Sequence, residues 1–163
     1  MVSLTITTDD DQIASIIEPY APPPSDRLKA VEKLLQNGLP TTVRIDPIIP
    51  CVNDDPEKLV KTLATLGIRQ ITSKTYHVKP DNWKRLEKAM PETAAKLRPL
   101  YFEQDEKVGS YLYLPMKLRS TIMENVAAMA KKNGILFATC TEGLSHLNTA
   151  GCDGTWMLSQ HLI

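Results

Sequence analysis

The segment Arg44-Ile45-Asp46-Pro47-Ile48-Ile49-Pro50-Cys51-Val52-Asn53-Asp54-Asp55 gathers groups that recognise small polar molecules: a guanidinium, an amide and several carboxylates around two prolines. The fork of an arginine such as Arg44 suits a carboxylate or phosphate, which it grips with two parallel hydrogen bonds. Pro47 and Pro50 have fixed φ and no N–H, so they hold the carbonyls of the loop and the side chains of Asn53 and Asp54 in one orientation. A plainer role competes with ligand binding. Asn53, Asp54 and Asp55 precede a helix start, where one such residue satisfies orphan backbone amides.

A second group of reactive residues lies near the C-terminal end. Cys140 and Cys152 bracket ATCTEGLSHLNTAGCDG, a segment of small and polar residues ending in an Asp-Gly turn signal. With Cys51 or His146 they are candidates for a zinc or iron-sulfur site, and inert buried thiols are the alternative. The histidines His77, His146 and His161 are scattered, and three cysteines without short paired spacing read as reduced thiols. Tyr101, Phe102, Tyr111 and Tyr113 lie beside Arg98, Lys107, Lys117 and Arg119, a mixture that suits stacking of single-stranded nucleic acid. The alternation Tyr111-Leu112-Tyr113-Leu114 fits side chains packed on a core better. No GxGxxG, phosphate loop, HExxH or Gly-x-Ser-x-Gly elbow occurs.

The elements that would position these residues follow from periodicity. Ser3 to Thr7 reads as a strand, Thr8 to Asp11 as a helix start, and Pro19 with Pro22-Pro23-Pro24 as a break. Leu28, Val31, Leu34 and Leu35 mark an amphipathic helix stopped by Gly38. Thr41 to Ile49 is a second strand, and Asp55-Pro56-Glu57 opens a helix that Gly67 closes. Ile68 to Tyr76 is a third strand, followed by helical stretches over Asp81 to Met90 and Glu92 to Glu106. A further helix runs from Pro115 to Gly134, and Ile135 to Cys140 is a last strand. Successive strand-helix-strand units require parallel pairing, so the expected class is α/β, a parallel sheet with covering helices. The whole chain, 1–163, reads as one domain: an α/β core over about 1–78, a helical region over about 79–133, and the last strand and cysteine-containing tail over 134–163.

In such sheets ligands sit where strands end and helices begin. Thr5, Thr7, Thr8 and Asp9, the Arg44 to Asp54 segment, and Thr72, Ser73, Lys74 and Tyr76 should line one edge. Lys plus Arg equals Asp plus Glu at 19 each, which removes any global electrostatic argument for nucleic acid or an anionic membrane. No apolar run is long enough for a membrane span or secretory signal, and the expected compartment is the cytoplasm.

Taken in order, VSLTITTDD, IIEPYAPPPSDRLKAVEKLLQNGLP, TTVRIDPIIPCVNDD and FATCTEGLSHLNTAGCDG resemble the C-terminal half of radical S-adenosylmethionine proteins of the spore photoproduct lyase, or DNA repair photolyase-like, group. The resemblance implies that the three strands are the fourth to sixth of a partial (β/α) TIM-like barrel binding S-adenosylmethionine over its strand ends. It makes Thr5 and Thr7 ribose-side candidates, Ile48, Ile49 and Pro50 an apolar shelf for adenine, and Arg44 a partner of the methionyl carboxylate. Asn53 and Ser73 complete the candidate lining, with Tyr76 or Cys51 as conceivable hydrogen-atom donors.

The chain departs from that group in carrying no CxxxCxxC loop. A [4Fe-4S] cluster is therefore expected only if another chain supplies it, and this chain alone should not be an active radical enzyme. The resemblance leaves two readings: half of a site completed by a separate N-terminal half chain, or a non-catalytic interaction module on the same scaffold. Either leaves an open edge at Ser3 to Thr7, which implies a homo-oligomer or a partner chain. Nucleic acid enters as a partner through the resemblance alone.

Overall fold

Alternation of apolar side chains along the strands decides which way the sheet faces. In the computed structural model, which describes residues 1–104 and 106–160, the chain runs β1 (Val2–Thr5), α1 (Asp11–Ile17), α2 (Pro24–Gln36), β2 (Thr41–Ile48), α3 (Glu57–Leu66) and β3 (Gln70–Thr75). It continues through α4 (Pro80–Ala89), α5 (Pro91–Phe102), a hairpin of β4 (Glu106–Val108) and β5 (Tyr111–Tyr113), α6 (Met116–Lys132) and β6 (Leu136–Thr139). Short 3-10 turns at Ser145–Leu147 and Thr155–Gln160 follow.

Strands β1, β2, β3 and β6 form a parallel sheet in that order. Each connection leads to the next neighbour, and right-handed crossovers then place every covering helix on the same face. Val43, Ile45, Ile71 and Phe137 point to that face and are buried with Val31 of α2, Leu59 and Leu63 of α3, and Val126 and Ala130 of α6. Burying each of the larger side chains contributes roughly 1.5–3 kcal/mol. Because strand side chains alternate, Thr42, Arg44 and Asp46 of β2 and Gln70, Thr72 and Lys74 of β3 fall on the opposite, helix-free face.

Local chemistry explains most boundaries. Asp10 caps α1, its carboxylate accepting from the amides of Gln12 (2.8 Å) and Ile13 (3.0 Å). Gly67, at φ +94°, ends α3 in the left-handed conformation that L side chains avoid. The expected aspartate cap on α3 is corrected: Pro56 occupies the cap position, and the Asp55 carboxylate stands 3.4 Å from the Glu57 amide. The expected helix to Glu106 stops at Phe102. There the chain turns into the β4–β5 hairpin, whose Leu112 exchanges backbone hydrogen bonds with Val78 at 2.9 and 3.0 Å. Tyr111 to Tyr113 is thus a short strand, anchored to the segment that leaves β3.

The tail after β6 returns across the helix-free face. Gln70 Nε2 donates to Gly151 O at 2.7 Å, Thr72 Oγ1 donates to Cys152 O at 3.1 Å, and the indole N–H of Trp156 donates to Gln70 Oε1. Gly154, at φ +72°, passes so close to β2 that a Cβ there would stand 2.7 Å from Thr42 Cγ2. The tail therefore covers the N-terminal half of that face and leaves the half nearer the strands' C-terminal ends. No helix among the described residues is long and apolar enough to cross a membrane.

Candidate functional site

At the C-terminal end of the helix-free face, Arg44 donates from Nη2 (2.8 Å) and Nε (3.2 Å) to Asp46 Oδ2. Lys74 Nζ lies 3.5 Å from the other Asp46 oxygen. Burial would lower the Arg44 guanidinium, but Asp46 and the thiol of Cys140 outweigh it and hold the group above its ordinary value. Arg44, Lys74 and Asp46 sum to one positive charge, a setting able to receive an anion.

The end of β1 is organised by a separate network. Thr7 Oγ1 donates to Glu18 Oε2 at 2.6 Å, Arg27 Nη1 lies 3.1 Å from the same oxygen, and Arg27 Nη1 also donates to Thr5 O at 3.0 Å. Glu18 of the Glu-Pro turn and Arg27 of α2 thus hold the first strand end to its helices. Thr7 is fully buried and spends its hydroxyl here, while Thr5 is half-buried.

The proline loop behaves as a braced ledge on the same rim as Thr7. Asn53 accepts from the Ile49 amide at 2.7 Å and donates to Thr7 O (2.7 Å) and Pro47 O (3.0 Å). Asp54 accepts from the Cys51 amide at 2.9 Å. The Asp46-Pro47 peptide is cis, and Cys51 has φ +64°. Ile48 and Ile49, which the resemblance makes an apolar shelf for adenine together with Pro50, both belong to the hydrophobic core, and Pro50 is buried beside them. The bulge between Ile45 and Ile48 explains this, because it shifts the register and turns Ile48 to the apolar side. Asn53 is likewise consumed within the loop. Ser73 faces the helices and donates to Ile45 O at 2.6 Å, so it does not line the face that carries Arg44.

A buried polar cluster occupies the ends of β3 and β6. Glu142 Oε1 accepts from the Thr75 amide (2.5 Å) and hydroxyl (2.9 Å) and lies 3.0 Å from His77 Nε2. Arg119 of α6 places Nη1 3.3 Å from Glu142 Oε2 and donates to Glu142 O (2.5 Å) and, through Nε, to Leu114 O (2.8 Å). Its Nη2 donates to Glu106 of the hairpin. The Tyr113 ring packs on His77 at 3.8 Å between centroids. Burial raises the Glu142 carboxyl, yet hydrogen bonds from His77 and Thr75 prevail and hold it below the usual carboxylate range. Thr141, just before it, has φ +59°, an uncommon conformation for a β-branched residue.

Sequence reasoning passed over this cluster. The signal was positional: His77 and Glu142 each follow a strand by two or three residues and so share a rim. The aromatic and basic residues near Tyr101 divide in two. Tyr101 is buried and donates to Tyr76 O at 2.7 Å, and Tyr113 and Arg119 are buried in the polar cluster. Burial pushes the Tyr76 hydroxyl up to about 12. Phe102 and Tyr111 remain exposed.

Cys140 is half-buried beside Arg44, while Cys51 and Cys152 are exposed. Among the described residues no group of three histidine, cysteine or acidic side chains comes together in a way that could hold a metal ion. His146 is exposed on a 3-10 turn, and His161 lies outside the described residues.

The chain is 32% identical over 115 residues to uncharacterized protein ORF301 of Acidianus two-tailed virus, a match that takes 67% of this chain and 37% of the viral protein. The chain thus spans little more than a third of that relative's length. No family model matches the chain. No solved structure matches it.

Proposed function

We propose that the chain is the C-terminal half of a radical S-adenosylmethionine barrel of the spore photoproduct lyase-like type, supplying the ligand-facing side of a site that other strands complete. The observation that carries this reading is the sheet itself. Four parallel strands stand in sequential order with helices on one face and an Arg44–Asp46–Lys74 patch on the other, the arrangement expected of an arc cut from a (β/α) barrel. Among the described residues strands β1 and β6 each have a neighbour on one side only, so further strands have two edges to join. The viral relative has most of its length outside the match, room enough for such strands.

Arg44 and Lys74 are the groups of this chain that would receive the carboxylate of the cofactor, and Asp46 would hold Arg44 in place and accept from an amine. The residues present do not fit a [4Fe-4S] cluster, since the three cysteines are dispersed over a loop, a strand end and the tail. No step through a cluster is assigned to this chain.

The interaction-module reading draws on the burial of Ile48, Ile49 and Pro50 and the full engagement of Asn53, which leave no adenine shelf on the ledge. Titration with S-adenosylhomocysteine, followed by backbone amide NMR, separates the two. The half-site reading expects saturable shifts at Arg44, Lys74 and Cys140 with a Kd of about 1 mM, abolished in an R44A/K74A variant. Self-association or strand pairing with no response to the ligand at those residues favours the interaction module and overturns the cofactor site.

A further inference from the structure

A groove of about 400 Å³ lies between α4, α5 and the β4–β5 hairpin, away from the Arg44 patch. We propose that it binds a small organic anion with a flat apolar body, such as an aryl phosphate or aryl carboxylate.

Two observations carry this. The first is shape and chemistry: Trp83, Phe102 and Leu112 line an apolar groove within the size range of ligand pockets, about 300–1,000 Å³. Trp83 and Phe102 meet edge to face, their centroids 5.0 Å apart, and together form an aromatic wall of the groove.

The second is charge. Lys84 comes from α4, Arg98 from α5 and Lys107 from the hairpin, so three elements bring cations to one groove. Lys79 also lines it, its Nζ 4.2 Å from the centroid of the Tyr111 ring. Among the described residues Glu87 is the carboxylate in the lining, and it stands 3.3 Å from Arg98. The chain as a whole is neutral, so this local excess of positive charge is a property of the groove.

The test is isothermal titration of the full chain with 1-naphthyl phosphate. One site per chain is expected, with inorganic phosphate and 1-naphthol each binding at least about ten-fold more weakly because each offers only half of the recognition. Lys84 and Lys107 are exposed, so a K84E/K107E variant should fold normally and lose about ten-fold or more in affinity. A K58E/K61E variant on α3 serves as a control and should bind like the parent. Equal binding of inorganic phosphate, or no loss in K84E/K107E, overturns the proposal. So does saturation by oligothymidylates with affinity rising with length, which would make the groove a track for single-stranded nucleic acid. Because Arg44 and Lys74 are untouched by these variants, the outcome is independent of the S-adenosylhomocysteine titration.

Discussion

The side-chain amide of Asn53 donates to the backbone carbonyl of Thr7 at 2.7 Å, joining the loop after β2 to the end of β1. The same side chain accepts from the Ile49 amide and donates to Pro47 O. One residue therefore fixes the separation of two strand ends on the rim where the candidate site lies. A cap on α3 needs nothing of the kind.

Asn53→Ala leaves a buried amide and two carbonyls without their partner. The expected cost is about 2–3 kcal/mol in urea unfolding at neutral pH. Asn53→Asp keeps the acceptor for Ile49 but turns a carboxylate oxygen toward two carbonyls, so it should be no better tolerated. A loss within about 0.5 kcal/mol for Asn53→Ala would show that the loop holds its shape without the brace.

Glu142→Gln removes the charge that Arg119 meets in the interior, and a cost of about 3 kcal/mol is expected. The pH dependence has a definite sign. The folded carboxyl lies below its ordinary 4.5, so its stabilisation is fully present above pH 4.5 and is lost as pH falls through the lowered folded value. The stability gap between parent and Glu142→Gln should narrow with acidification below that point, as read by unfolding curves across pH. A gap that widens would contradict the assignment of a charged Glu142.

Gly154→Ala tests the tail. Its φ of +72° disfavours any side chain, and the new Cβ would meet Thr42 Cγ2 at 2.7 Å, so the tail must lift. Gly38→Ala shares the positive φ, at +68°, but its Cβ meets nothing within 4 Å. The Gly38 variant should lose about 1 kcal/mol, the Gly154 variant more, and only the latter should speed proteolysis after residue 150.

Much of the scaffold was legible because local signals and tertiary demands agree. Asp55-Pro56-Glu57 and Gly67 bracketed α3, and the runs Thr41 to Ile49 and Ile68 to Tyr76 announced two of the parallel strands. The site was harder to read. The burial of Ile48 and Ile49 was not legible, because the register shift after Ile45 turns on backbone geometry that a residue pattern does not encode. Glu18 and Arg27, quoted above as part of a familiar pattern, prove to be partners of Thr7 and Thr5, separated by up to 22 residues in sequence. Glu142 was hidden for the same reason: its partners Thr75 and His77 lie more than 60 residues earlier, and only the sheet brings them together.

The tail across Thr42, Gln70 and Thr72 acts as a stopper. It screens the N-terminal half of the helix-free face with backbone carbonyls and an indole, so among the described residues Arg44 lies on the half of that face that the tail leaves uncovered, nearer the rim that Asn53 braces. Cutting the chain before Gly151 would pull that stopper and wet a row of hydroxyl and amide side chains that are now buried.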